Sequence, residues 1–220
     1  VVALASHGER ESELPFLCSL CTAWTELGYS VLVLDATQAE SDRQPGLRDL
    51  LEPSRHRGVV NRHDTLWPII PAAKGLEQLG AADDENEGSS ALLQELGSLF
   101  QNYDVVLVYA STKQLAACMG DSGMEPLLTL SPKGMSLINA YQAMKLLLTN
   151  GRLKPTIVAV MSDSNPNHQA ANQGWCKSLQ DCAMTFLGHQ VTTLSIDLSR
   201  RDDQDWPDMN GLALRLIENA

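Results

Sequence analysis

Short apolar runs alternate with amphipathic stretches along almost the whole chain, and this alternation predicts a repeating strand-helix organisation. Residues 1–5 are too few for a helix and apolar enough for a buried strand. Between residues 13 and 27, Phe16, Leu17, Leu20, Ala23, Trp24 and Leu27 recur at three- and four-residue steps, which predicts an amphipathic helix with Pro15 in its first turn and Gly28 at its end. Residues 29–34 then read as a second strand, apolar nearly throughout, as expected where helices cover both faces of a sheet. The first 37 residues are thus a βαβ unit whose polar loop, 6–12, sits where α/β proteins bind phosphate groups.

The same reading extends to the end of the chain. It places strands at 66–70, 105–109, 124–130, 155–161 and 191–196, and a short helix at 45–51. Further helices fall at 91–100, at 137–148 with Ser136 as N-cap, at 173–187 with Trp175, Leu179, Cys182, Ala183 and Phe186 inward, and at 209–217 with Leu212, Leu216 and Ile217 inward. The window 81–90 is the most polar and reads as a surface loop. This order predicts a three-layer α/β/α sandwich around a mainly parallel, twisted sheet of about seven strands. At 220 residues and 44% hydrophobic composition, one domain spanning 1–220 accounts for the chain.

Charge and cysteine content narrow the partners. A formal net charge of −11 makes the average surface repel nucleic acid and anionic lipid, so neither is expected as a ligand. Five cysteines, an odd number, in a chain without an apolar run of about 18 residues fit a cytosolic protein with reduced thiols. Cys18 and Cys21 form C-x-x-C, but within a helix they are expected in the core. Residues 54–65 hold the one basic cluster, Arg55, His56, Arg57, Arg62 and His63, which reads either as a solvated loop or as a docking surface for an acidic protein; two histidines without a third ligand at fixed spacing make a poor metal site.

The first loop, His7-Gly8-Glu9-Arg10-Glu11-Ser12-Glu13, has one glycine, no lysine and three carboxylates. A phosphate cradle needs several glycines and usually a lysine followed by Ser or Thr. Two unit charges about 4 Å apart interact by roughly 4 kcal/mol at an effective dielectric near 20, so each carboxylate facing a triphosphate would oppose it. Glu13 and its neighbours have a structural reading: carboxylates near a helix N-terminus interact favourably with its dipole, and the chain is expected to supply here the negative charge that a phosphate would otherwise bring.

The whole unit resembles the opening of the MinD/ParA group of P-loop ATPases, and its pattern is most similar to the FlhG/FleN and BcsQ branches. Their opening reads roughly S-x-K-G-G-x-G-K-T, then a helix, a glycine, and a strand ending in D-x-D. Laid on this sequence without a gap, Ser6, Gly28 and Asp35 keep the serine, the glycine after the helix and the first aspartate. The first lysine falls on Gly8, the adjacent glycines on Glu9 and Arg10, the last glycine on Ser12, the second lysine on Glu13 and the threonine on Leu14. The second aspartate, which in the family prepares the attacking water, falls on Thr37. The P-G-L-x-x-L-L pattern recurs at 45–51, and Tyr103-Asp104 matches a Y-D-x-V-x-x-D strand whose terminal, magnesium-organising aspartate is Tyr109 here. Ser136 and Asn139 fall in a P-x-x-x-S-x-x-D-A-Y pattern with asparagine for aspartate, and Val160-Met161-Ser162 lacks the asparagine that contacts adenine in the family.

The resemblance therefore implies the family's fold without its chemistry: no catalytic residues, no nucleotide or metal cofactor, and losses at Glu13 and Tyr109 that read as independent of each other. It implies a pseudo-ATPase serving as a protein-binding module beside an active MinD/ParA-like paralogue or a secretion or localisation complex. Any homodimer would be constitutive, and any membrane association would run through a partner. The alternative is a weakly active or heterodimeric ATPase with a remodelled phosphate loop. A hydrolase built from His7 and Asp35 lacks a nucleophile.

Overall fold

The computed structural model describes residues 1–52, 66–82, 90–132, 135–161, 166–200 and 206–218. Its centre is a seven-stranded, all-parallel sheet of β1 (Val2–Ser6), β2 (Val31–Asp35), β3 (Ile69–Pro71), β4 (Val105–Ser111), β5 (Leu127–Leu130), β6 (Thr156–Met161) and β7 (Thr192–Asp197), in the order β3-β2-β4-β1-β5-β6-β7. The expected strand count and parallel character hold. The helices are α1 (Arg10–Glu26), α2 (Leu47–Leu51), α3 (Ala73–Ala82), α4 (Ser90–Leu99), α5 (Thr112–Cys118), α6 (Ser136–Asn150), α7 (Pro166–Cys182) and α8 (Pro207–Glu218).

Alternating side chains of the five inner strands feed two cores, as strand geometry requires, while β3 contributes to one core and β7 to the other. Val2, Leu4, Val33, Leu107, Tyr109, Val158 and Ile196 meet α1 and α8 on one face, while Ala3, Leu34, Val108, Leu130 and Ile157 meet residues of α2 to α7 on the other. Trp24, fully buried, ties α1 to α8 by donating its indole N–H to the Ala213 carbonyl at 2.9 Å. β1 lies between β4 and β5, where the direction of strand addition reverses, so the loop after Ser6 opens at the crevice that this topology creates.

Several local expectations are corrected. α1 begins at Arg10, so Pro15 stands in its second turn. The N-cap of α6 is Met135; the Ser136 hydroxyl instead accepts the Ser131 N–H at 3.0 Å. α7 ends in a π-helical turn, Ala183–Leu187, which adds a residue to the turn and carries Phe186 to 73% exposure instead of into the core. In α8, Leu212 is buried with Met209 and Ala213, while Leu216 and Ile217 are only half-buried. The basic residues Arg55, His56, Arg57, Arg62 and His63 lie outside the described residues, as does most of the polar window 81–90.

Candidate functional site: a phosphate-type loop closed by its own carboxylate

Gly8 lets the chain turn after β1. Its φ of +98° is strained for any residue with a Cβ, and it allows residues 7–9 to curl with their N–H groups inward. Helix α1 starts immediately afterwards, from Glu9, and rotates the side chain of Glu13 back into the curl. The Glu13 carboxylate, fully buried, is surrounded by donors. Oε1 accepts the backbone N–H of His7 at 2.9 Å and of Glu9 at 3.0 Å, and lies 2.9 Å from His7 Nδ1. Oε2 accepts the Tyr109 hydroxyl at 2.6 Å and the Ser6 hydroxyl at 3.0 Å.

The loop thus wraps a carboxylate belonging to its own helix. Its five donors come from β1, β4, the loop and the helix start. A buried ion so surrounded is tolerable, whereas an unpaired one would cost several kcal/mol. His7 Nδ1 must carry its proton to face Oε1, and Nε2 is then left buried without a partner among the described residues.

Burial by itself would raise the Glu13 pKa. The His7 hydrogen bond and then that from Tyr109 outweigh it and bring it from 4.5 down to about 2. Burial, then the bond to Glu13, push the Tyr109 phenol well above its usual range. A depressed carboxylate pKa stabilises the fold above its unfolded value and loses that contribution as pH falls to the folded one. The expected result is a loss of up to about 3 kcal/mol between pH 4.5 and pH 2, beyond that shown by Glu13→Gln, in urea titrations at each pH.

The other carboxylates of the loop do not share this site. Glu9 is half-buried and its Oε1 accepts Asn139 Nδ2 at 2.7 Å, which braces the loop against α6; Glu11 and Arg10 are exposed. Ser12 is buried and donates its hydroxyl to the Glu9 carbonyl at 3.0 Å. Asp35 is spent on its own turn: Oδ1 accepts the Thr37 N–H and hydroxyl at 2.9 and 2.6 Å, and Oδ2 accepts Gln38 Nε2 at 2.7 Å. β4 separates β1 from β2, and His7 pairs with Glu13 rather than with Asp35. Cys21 is buried, with its thiol pKa pushed up by burial, and no group of three or more metal-ligating side chains forms among the described residues.

The positions expected to be two independent losses are one contact. Tyr109, opposite Leu4 in β1 and Asp35 in β2, lies directly over Glu13. A magnesium-triphosphate does not fit this arrangement as it stands, because the inward N–H groups already hold an anion, Tyr109 lies over that anion, and Asp35 is engaged locally.

No protein-family model matches the chain, and no curated protein matches it. Solved structures do. A chain of the MinC:MinD cell division protein complex from Aquifex aeolicus is 15% identical, with a TM-score of 0.60 over 100% of this chain and 96% of that one. The cell division ATPase MinD from Pyrococcus furiosus is 16% identical, with a TM-score of 0.58 over 100% of this chain and 98% of that one. Cobyrinic acid a,c-diamide synthase from Mycobacterium smegmatis, solved with ADP and magnesium, is 18% identical, with a TM-score of 0.61 over 99% of this chain and 94% of that one. A likeness at these identities is one of fold, and the chain accordingly has the three-layer, P-loop-type fold seen in MinD and its structural neighbours.

Proposed function

We propose that this protein is a pseudo-ATPase of MinD/ParA type, a regulatory or scaffolding module that binds protein partners in positioning or assembling a bacterial surface or division machine of flagellar, cellulose-secretion or cell-division kind. The observation that carries this reading is the Glu13 carboxylate inside the loop, where it takes the N–H groups of His7 and Glu9. A phosphate entering there would have to expel a buried anion from five donors or lie beside it, and repulsion of roughly 4 kcal/mol per charge pair opposes the second course.

With no nucleotide to hold two subunits together or release them, association is constitutive or governed by the partner. The MinC:MinD complex shows one neighbour in fold working with a protein partner, which supports the same mode here. Titration calorimetry with Mg-ATP is expected to give no binding tighter than about 1 mM, or roughly −4 kcal/mol. A micromolar dissociation constant would overturn the reading and favour a working ATPase with a remodelled loop.

A further inference from the structure

A second buried carboxylate closes the neighbouring part of the same sheet edge. Glu40 is 1% exposed, in the segment joining β2 to α2. Its Oε1 accepts the backbone N–H of Arg48 at 3.1 Å and of Gly75 at 2.7 Å, and its Oε2 that of Lys74 at 2.8 Å. One side chain thereby joins the first turns of α2 and α3, and Lys74 Nζ returns to the Glu40 carbonyl at 3.2 Å. Two glycines make room for it. A Cβ at Gly46 would stand 2.0 Å from the Pro71 carbonyl oxygen and 2.8 Å from Glu40 Cγ, and one at Gly75 would stand 2.5 Å from the Arg48 nitrogen.

The rest of the segment is pinned along its length. Ser41 and Gln44 exchange two backbone bonds at 3.0 Å, Ala73 N–H donates to the Gln38 carbonyl at 3.1 Å, and Gln114 Nε2 donates to the Ala36 carbonyl at 3.2 Å. A buried carboxylate tolerates no half-open geometry, because each N–H withdrawn leaves the ion under-solvated. The three amides should therefore open together or stay closed.

We propose that Glu40 is a built-in latch that holds residues 36–46 and the starts of α2 and α3 in a single conformation, making this edge of the site a surface of permanently fixed shape. The latch stands on its own geometry; only its meaning, that the edge does not respond to nucleotide, rests on the reading above. Residue-resolved hydrogen exchange tests it. In the wild type the amides of Arg48, Lys74 and Gly75 exchange slowly and with a common rate, with or without Mg-ATP. In Glu40→Ala these amides exchange at least about tenfold faster, while those of His7 and Glu9 keep their wild-type rates. Glu40→Gln, which keeps one acceptor oxygen, gives an intermediate rate, and it decides the matter if the alanine variant does not fold. Unchanged exchange in the variants, or three unrelated rates in the wild type, would overturn the latch. Mg-ATP binding by calorimetry with the three rates unaltered would instead overturn the functional reading and leave the latch standing.

Discussion

Replacing Glu13 by alanine is expected to destabilise the protein by about 3–5 kcal/mol, although the substitution removes a buried charge and leaves a good helix former. The reason lies in the partners it abandons. The N–H groups of His7 and Glu9 and the hydroxyl of Ser6 are directed at the carboxylate and would lose that acceptor, and the Tyr109 hydroxyl would keep only Ser6 Oγ at 3.2 Å. Glu13→Gln is expected to cost less, because an amide oxygen still accepts two N–H groups while its NH2 opposes the hydroxyl donors. Chemical denaturation of the three proteins at pH 7 measures the series, and a loss below about 1 kcal/mol for alanine would mean that the loop does not depend on this carboxylate.

The second large effect concerns the pair. Introducing the lysine and the aspartate that the MinD/ParA-like pattern would place at positions 13 and 109 should be worse one residue at a time than both together. Tyr109→Asp alone places a second carboxylate beside a buried one, a repulsion of roughly 4 kcal/mol at about 4 Å. Glu13→Lys alone points an ammonium at N–H groups that need an acceptor. Together the two new charges attract, so the double variant is expected to be more stable than the sum of the single losses by about 2 kcal/mol. Additivity within about 0.5 kcal/mol would show that positions 13 and 109 do not act as a unit. The sign of this coupling separates a compensated exchange of charge from two unrelated losses.

The five inner strands were legible because a doubly covered parallel strand is apolar on both faces; the edge strands β3 and β7 are more exposed, and β7 carries Thr, Ser and Asp between its apolar residues. α1 was legible from Glu13 onward but not at its start. Residues 10–12 are Arg, Glu and Ser, without apolar period, and what begins the helix there is a contact with the loop itself. α3 went unread because Gly75 and Gly80 weaken its helical signal, yet a Cβ at either would collide, with Arg48 and Leu47 at one and with the Cys118 sulfur at the other. α5 is seven residues long and follows β4 directly, Ser111 serving as its N-cap, so it offers no periodicity to detect.

The site was half legible. The excess of carboxylate in the first loop was visible, and so was the argument that it would stand in for a phosphate. Glu13 was read together with its neighbours, and that it alone does so was not legible, because the choice depends on a helix start three residues earlier than residue 13. Tyr109 could be read only as a missing aspartate. Its 2.6 Å bond spans 96 residues of sequence, and only the sheet register brings the two together. Glu40 left one signal, a glycine in or beside the first turn of both α2 and α3, with no indication that one glutamate served both.

The central claim is that the loop is an anion site filled by Glu13, and an added small carboxylate tests it most directly. In Glu13→Ala the donors remain but the anion is gone, so formate should enter the space and restore stability, by about 1.4 kcal/mol at 100 mM if it binds with a dissociation constant on the order of 10 mM. The account predicts that formate raises the melting temperature of Glu13→Ala at constant ionic strength and leaves the wild type unchanged. Equal shifts in both proteins, or none in the variant, would contradict it.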